Sequence, residues 1–306
     1  MLDSKEIQAL ISLLDDTDEE VVNHVEERIL ALGTPVIPAL EVLWHTQASH
    51  ALQQRIETLI HQLQYTETLQ NLKSWAKDGA KDLFEGAFLV AKFRYPGLDR
   101  QDLSNKIDQL KLDAWLELHN DLSSLEKVRV LNYIFYQVHG FKGNTENYHS
   151  PDNSFINRVL ETKKGNPISL AIIYSVIAQR LNIPIFGVNL PQHFILAYRD
   201  DTKIRTQSAY NAGKNYLHHQ AGGNVLFYIN AFNKGLVFSK WNIDQFLKQL
   251  QVEPEDFYYE PCGNVDIILR IIRNLIFSYE KLKNPSKSRD MQALLEHLQP
   301  YSSLIL

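Results

Sequence analysis

The chain is poor in sulfur. Among its 306 residues there is one cysteine, Cys262, and there are two methionines. A single cysteine excludes an intramolecular disulfide and predicts a reducing compartment, the cytoplasm. No apolar run reaches 18 residues, so we expect no membrane span. The acidic, amphipathic first residues lack the basic start and apolar run of a signal peptide.

The sequence also lacks the features of a nucleic-acid, metal or nucleotide site. Net charge is −5 and no long basic block occurs, so we expect no nucleic-acid partner. Neighbouring side chains on extended backbone point in opposite directions, which makes the pair His218 and His219 a poor chelator. Without Cys or Asp/Glu at ligand spacing and without a glycine-rich phosphate loop, we expect no metal and no cofactor.

What is present is an ordinary globular composition, with 44% hydrophobic and 22% charged residues. Residues 1–65 carry apolar side chains at helical spacing, which predicts two helical hairpins. The pattern repeats weakly at an offset of 30 residues, as in Val22 and Leu52 or Ile29 and Leu59. This resembles a short HEAT-like repeat, which would serve either as a protein-binding face or as a packing extension.

Residues 66–306 read as a second, larger domain. We predict helices over 102–118, 123–139, 155–163 and 167–181, with a turn-rich polar loop over 143–153 that is the best candidate to line a cleft. The helix at 167–181 has apolar residues on nearly every face, so it should be buried. Asn166 is a good N-cap, and Pro167 suits the first helical position, whose N–H would be unpaired anyway.

After Ile183-Pro184 the pattern changes to strands. Strand lengths and composition predict strands over 185–189, 193–198, 203–206 and 225–230, with a long loop over 207–224. Helices return over 240–250 and 265–282, and residues 284–290 read as a linker to a last short helix. The fold class predicted is α+β, mostly helical.

Two phrases resemble the SirB-type branch of the transglutaminase-like superfamily. The first is GFKGNTENYHSPDNSFINRVLETKKGNPISLAIIYSVIAQRLNIPIFGVNLPQHFIL, and the second is FYINAFNKGLVFSKWNIDQFL. The resemblance covers residues 83–98, 140–198 and 226–250. It implies a transglutaminase-like (papain-like) core, in which a buried helix packs on a small antiparallel sheet and other helices surround both.

The resemblance also implies three catalytic positions, and only one of them holds the expected residue type. Active members carry a cysteine at the start of the buried helix, a histidine on one strand and an aspartate on the next. These positions fall on Pro167, His193 and Asn230. A helix N-terminus lowers a thiol pKa, but proline offers no thiol. Because loss of a triad nucleophile costs on the order of 10⁶ in rate, we do not expect a transglutaminase or a thiol protease.

Two other side chains are candidate nucleophiles. Ser169 lies in the first turn of the buried helix, where it is either a nucleophile or a structural serine. Cys262 precedes a helix and is better explained as a packing residue. His193, alone on an apolar strand, is by default a core histidine, although the resemblance places it in a cleft.

The sequence leaves three functions open. The first is a non-catalytic transglutaminase-like protein that binds a protein or peptide partner, with a remnant site at His193, Asn230 and Ser169. The second is a hydrolase or acyl-transferase that uses His193 and Ser169. The third is a purely structural or regulatory protein. The candidates to line the cleft are Pro167, Asn166, Gln192, Tyr148, His149 and Asn153.

Overall fold

The structure is a computed structural model that describes residues 4–45, 49–200 and 225–303. By its internal contacts the chain divides into two compact units, Met1–Ser74 and Trp75–Leu306. Within the described ranges, no helix has both the length and the apolarity needed to cross a membrane.

The first unit is helical. Its helices are α1 (Ser4–Ser12), α2 (Glu19–Leu32), α3 (Ile37–His45) and most of α4 (His50–Lys77), whose last three residues follow the boundary at Ser74. The side chain of Asp18 caps α2 by accepting a hydrogen bond from the Glu20 N–H. At two of the positions repeated 30 residues apart, both members are buried: Val22 with Leu52, and Ile29 with Leu59. The predicted boundary at residue 65 falls inside α4. The HEAT-like assignment stays a prediction.

The second unit contains the remaining elements. Its described helices are α5 (Leu83–Arg94), α6 (Arg100–Glu117), α7 (Ser124–Asn132), α8 (Ile156–Thr162), α9 (Pro167–Arg180), α10 (Lys240–Gln249), α11 (Asn264–Lys281) and α12 (Pro285–Leu298). Its described strands are β1 (Lys142–Gly143), β2 (Lys164–Gly165), β3 (Ile185–Leu190), β4 (His193–Arg199), β5 (Val225–Asn230) and β6 (Leu236–Phe238).

Helix α9 is the central helix, and its start is fixed by the predicted signals. Asn166 and Ser169 form a capping box, and Pro167 occupies the first turn. All residues from Ile168 to Ala178 are buried. A helix that is apolar all round is stable only inside a protein core, so its burial follows from its sequence.

The antiparallel sheet has the strand order β3-β4-β5-β6. A tight connection explains why β3 pairs with β4, because only two residues separate the strands and Leu190 pairs with His193 across the ladder. Helices α9 and α11 contact β3, and α9 also contacts β4. Side chains from the opposite side of the same strands, such as Val188 and Ile195, form a core with Ile243 and Leu247 of α10. The predicted α+β fold is confirmed.

Two predicted segments differ from the structure. The proposed linker over 284–290 is wrong: α12 begins at Pro285, and the Asn284 side chain caps it by accepting a hydrogen bond from the Lys287 N–H at 3.2 Å. The same Asn-Pro pair that begins α9 also begins α12. The apolar pattern of α12, formed by the buried Met291, Leu294 and Leu298, was not recognised because charged residues surround it. The helix predicted over 123–139 changes to a π-helix over Tyr133–Val138.

Some of the predicted elements cannot be compared with the structure. The strand predicted over 203–206, the loop over 207–224 and the pair His218 and His219 lie outside the described residues.

Candidate functional site

A cleft of about 80 Å³ opens where α9 begins, within the second unit. Five residues named from the sequence line it: Tyr148, His149, Asn166, Pro167 and Gln192. The polar loop before α8 supplies the first two, the start of α9 the next two, and the β3–β4 turn the last. Three distant stretches of sequence therefore meet at one helix N-terminus.

Asn153, the sixth candidate, is not among the residues lining the cleft; it is 3% exposed and supports the loop from behind. Its Nδ2 donates to the carbonyl oxygens of Asn147 and Tyr148, at 2.7 and 3.0 Å. Its Oδ1 accepts from Asn144 Nδ2 at 2.8 Å. Since a buried carboxamide needs partners for each of its polar atoms, this arrangement fixes the backbone that presents Tyr148 and His149.

Asn166 continues this buried network to the start of α9. Its N–H donates to the Asn153 carbonyl oxygen at 3.3 Å, and its Nδ2 donates to Ser154 Oγ at 2.8 Å. Its Oδ1 accepts from the Ser169 N–H at 2.9 Å. Each polar atom of the carboxamide thus has a partner: Oδ1 caps α9, and Nδ2 joins the helix start to Ser154.

Ser169 lies inside the capping box, and it is 2% exposed. Its Oγ accepts from the Asn166 N–H at 3.0 Å and donates to the Asn166 carbonyl oxygen at 3.2 Å. A nucleophilic serine needs a base at hydrogen-bond distance and an open approach. The partners of this hydroxyl are backbone groups, so in this position it acts as a helix cap.

His193 is exposed, and it lies on the side of the sheet away from α9. Its ring stacks on Phe246 of α10, with centroids 4.7 Å apart and planes at 18°. Successive side chains of a strand point to opposite faces. Phe194, the next residue, lines the cleft with Pro167 and Ile168. The imidazole and the start of α9 are therefore separated by the sheet.

The turn that joins β3 to β4 is tight. The His193 N–H donates to the Pro191 carbonyl oxygen at 2.7 Å, and Gln192 has a φ of +58°. This hydrogen bond closes a three-residue γ-turn, and positive φ is uncommon for a residue with a side chain. The strained residue is also one that lines the cleft. The turn places the Gln192 side chain at the cleft while His193 begins the strand behind it.

Asn230 ends β5 and organises the turn into β6. Its Oδ1 accepts from the N–H groups of Phe232 and Asn233, at 3.1 and 3.0 Å. The ring Nδ1 of His193 lies 2.9 Å from the Gln192 carbonyl oxygen. Among the described residues neither side chain is a partner of the other, so Asn230 does not orient the imidazole.

Cys262, the single thiol, is also placed away from the cleft lining. Its N–H donates to the Gly187 carbonyl oxygen at 2.9 Å. Burial, reinforced by the nearby Asp266 carboxylate, raises the pKa of the Cys262 thiol far above its usual value. The thiolate is the reactive form of cysteine, and this environment disfavours it.

Four residues of α11 line the cleft and were not predicted from the sequence. They are Arg270, Asn274, Phe277 and Ser278. A signal was present: Asp266, Arg270, Asn274 and Ser278 repeat every four residues among mainly apolar neighbours. Residues four apart lie on one face, so this stripe predicts a polar face that a core helix does not need.

Arg270 is the charged group of the cleft. Its Nη1 donates to Asn189 Oδ1 at 2.7 Å and to the Leu190 carbonyl oxygen at 3.0 Å, which fixes the guanidinium at the end of β3. Burial and the neighbouring Arg273 lower the pKa of Arg270. Arginine nevertheless stays protonated in proteins. In the described part of the chain, no group of His, Cys, Asp or Glu side chains is arranged to hold a metal ion.

Comparison with known proteins places the second unit in a family. A model described as "Transglutaminase-like superfamily" matches residues 101–273, more than half of the chain. The chain belongs to the transglutaminase-like superfamily. The match includes α9 with Pro167, β4 with His193, and β5 with Asn230. Membership therefore accounts for the buried helix and the antiparallel sheet. It does not determine the residues at the expected catalytic positions, which in this chain are Pro167, His193 and Asn230.

Several curated relatives are similar to this chain. A "UPF0162 protein" of Xylella fastidiosa is 34% identical over 151 residues, 48% of this chain and 52% of that protein. "F-box only protein 21" of Homo sapiens is 26% identical over 204 residues, 58% of this chain and 30% of that protein. "UPF0162 protein YchA" of Escherichia coli is 25% identical over 194 residues, 63% of this chain and 64% of that protein.

The chain thus spans about half the length of the Xylella relative and under a third of the human one. No solved structure matches the chain.

Proposed function

We propose that this chain is a non-catalytic transglutaminase-like protein that binds a segment of a protein or peptide partner in the cleft at the start of α9. It would act as a binding or regulatory module. The strongest support comes from the identity of Pro167 taken together with the location of His193. The helix N-terminus that would activate a thiol carries a proline, and the expected base is on the other side of the sheet.

The composition of the cleft walls supports a binding role. Tyr148 and Phe277 are each 47% exposed, although large apolar side chains are usually covered. The His149 ring contacts both of them edge-on, with centroids 5.3 Å from each ring. Exposed aromatic residues beside a few fixed polar groups are typical of interface centres and ligand sites.

The finer assignments belong to the same proposal. The two phrases of sequence, from Gly140 and from Phe227, support a place in the SirB-type branch. The offset of 30 residues supports a HEAT-like first unit that adds an interaction face. The names of the three relatives state no reaction. A reducing compartment is supported by the single cysteine.

The alternative of a hydrolase or acyl-transferase using Ser169 and His193 has less support, because the capping box occupies the hydroxyl and the sheet separates it from the imidazole. A fluorophosphonate probe tests it directly. Labelling of Ser169 in folded chain, lost in Ser169→Ala, would revive the alternative. No labelling beside a labelled control hydrolase would remove it.

Catalysis itself is tested by transfer of a fluorescent amine to a glutamine-containing peptide. We expect no product above the rate without protein. Turnover that His193→Ala abolishes would overturn the proposal.

Binding is tested by selecting a displayed library of random peptides on the full chain. We expect Tyr148→Ala to reduce recovery of the selected peptides, because Tyr148 forms a wall of the cleft. Tyr133→Ala is the matched control, since Tyr133 is 50% exposed and does not line the cleft. Equal recovery with both variants would place the binding surface elsewhere.

A further inference from the structure

The polar wall of the cleft is built on one side of α11. Arg270 and Asn274 are four residues apart, so both face the same direction. The Nη1 atom of Arg270 uses its two hydrogens on Asn189 Oδ1 and on the Leu190 carbonyl oxygen. Both acceptors are uncharged. The guanidinium is therefore held in place by bonds that do not neutralise it.

The charge of Arg270 has no counter-ion within the described residues, where no carboxylate pairs with it. Of the groups whose charge acts on Arg270, Arg273 is also positive, and Cys262 and Tyr148 are a thiol and a phenol that are neutral at pH 7. Burying a charge without an opposite charge is unfavourable. An anion entering the cleft would supply the missing partner.

The free donors of Arg270 have a defined geometry. With Nη1 occupied, Nε–H and the Nη2 hydrogens remain without a partner among the described residues. These donors lie along one edge of the planar guanidinium and match the two oxygens of a carboxylate. The Asn274 carboxamide, which also lines the cleft, has no hydrogen-bond partner in the described part of the chain either.

The start of α9 adds a further donor to the same cleft. Pro167 has no N–H, and the Ser169 N–H is taken by the Asn166 side chain. The Ile168 N–H has no acceptor among the described residues, and Ile168 lines the cleft. The unpaired N–H groups of a helix start favour negative charge. The Ile168 N–H therefore favours an anion in the cleft, as the guanidinium does.

We propose that the cleft recognises a carboxylate group of the bound peptide, held by the free edge of Arg270, with an adjacent apolar side chain against Tyr148 and Phe277. This rests on the proposed function and names the chemistry of its ligand. The carboxylate is either a chain terminus or an Asp or Glu side chain, since both present the same two oxygens.

Three fluorescent pools of random hexapeptides distinguish these sources. The first pool has a free C-terminal carboxylate and no Asp or Glu. The second has the same composition with a C-terminal amide. The third is amidated and contains one Asp or Glu. Binding to the full chain is followed by fluorescence anisotropy. We expect the second pool to bind at least about tenfold more weakly than whichever carboxylate pool binds best.

Variants on α11 test the role of the guanidinium. We expect Arg270→Gln to weaken binding of the best pool by about 10- to 100-fold, the loss of a charge-assisted hydrogen bond. Arg273→Gln is the matched control, because Arg273 lies on the same helix and does not line the cleft. If Arg270→Gln does not fold, Asn274→Asp keeps Arg270 and its bonds but adds a competing carboxylate, and it should also weaken binding.

Several results would overturn the inference. Equal binding of the amidated pool, or undiminished binding to folded Arg270→Gln, would remove the carboxylate while leaving a peptide-binding cleft. Stronger displacement by inorganic phosphate than by acetate at equal concentration would assign the cleft to phosphate instead. Failure of all three pools to bind would remove the proposed function together with the inference.

Discussion

The two faces of the four-stranded sheet carry different parts of the expected catalytic site. On one face, the cleft face, α9 begins beside Phe194, Arg270 and Asn274. On the other face, the α10 face, His193 stacks on Phe246. One residue along β4 is enough to separate them, because neighbouring side chains of a strand point in opposite directions. The difference teaches that an aligned position identifies a residue but does not place its side chain in the cleft.

The two faces also differ in how their polar groups are satisfied. On the α10 face, the buried Tyr228 hydroxyl donates to the Tyr259 carbonyl oxygen at 2.9 Å. In α11, the helix that supplies one wall of the cleft, the buried hydroxyl of Tyr279 has no partner among the described residues. The α10 face is therefore organised as a core, whereas the helix behind the cleft contains unpaired polar groups.

The largest expected effect is at the start of α9. Asn166→Ala removes the N-cap and leaves the Ser154 hydroxyl without its donor, so it should lower the free energy of unfolding by about 2–4 kcal/mol. Urea denaturation followed by circular dichroism measures this loss. Asn166→Asp keeps the acceptor of the cap but cannot donate to Ser154, and its stability should fall between those of the parent chain and Asn166→Ala.

Asn230→Ala is the comparison on the other part of the expected site. It removes an acceptor for two backbone N–H groups in a turn and should cost about 1 kcal/mol. Asn230→Asp should cost less, because a carboxylate accepts the same two bonds. A larger loss at Asn230 than at Asn166 in urea denaturation would reverse this ranking.

Two buried tyrosines, one with a hydrogen-bonded hydroxyl and one with an unpaired hydroxyl, test this difference. Tyr228→Phe leaves the Tyr259 carbonyl oxygen without its donor and should cost about 1–2 kcal/mol at pH 7. Tyr279→Phe removes a hydroxyl that has no partner among the described residues and should be neutral or stabilising. Equal losses in urea denaturation would show that Tyr279 has a partner in solution.

The same pair gives a pH readout. Burial is the main cause that raises the pKa of Tyr228 and of Tyr279 from 10.0 to about 12. A raised pKa in the folded state means that the contribution to stability is complete below pH 10 and is lost as pH rises toward 12. Each phenylalanine variant should therefore lose less stability than the parent chain over this interval.

Pro167→Cys places a thiol at the expected nucleophile position. It tests separately whether this thiol is activated and whether it catalyses amine transfer. The start of α9 and the nearby guanidinium should lower the thiol pKa, so that half-maximal alkylation by iodoacetamide occurs about one pH unit or more below that of an exposed loop thiol. Thr145→Cys supplies that reference, and Cys262, whose thiol pKa is raised, gives a low background. We expect no amine transfer, because His193 is on the α10 face. Turnover by this variant would contradict the separation of the two faces.

The smallest effect is expected at His193. Its ring is exposed and stacks on one aromatic ring, so His193→Ala should cost less than about 1 kcal/mol. Peptide binding in the cleft should be unchanged, as measured by fluorescence anisotropy. A loss of binding as large as that of Tyr148→Ala would show that the imidazole reaches the cleft.

Much of the fold could be predicted because its signals are local. Asn166 and Pro167 define the start of α9, and the two-residue connection defines the β3–β4 hairpin. The loop residues Tyr148 and His149 were predicted to line the cleft from their polar, turn-rich surroundings. Arg270 and Asn274 were missed because 97 or more residues separate α11 from the start of α9 in the sequence. Spacing within α11 indicates a polar face but does not say which element that face meets.

The sequence by itself determined that Pro167 offers no sulfur at the head of a buried helix and that the chain has one thiol, Cys262. It also determined that His193 and Phe194 point to opposite sides of a strand, because the repeat of a strand is two residues. Only the tertiary structure decided which of the two sides α9 occupies. That choice depends on how α9, α10 and α11 pack on the sheet. As a result, the cleft contains Arg270, and His193 lies on the α10 face.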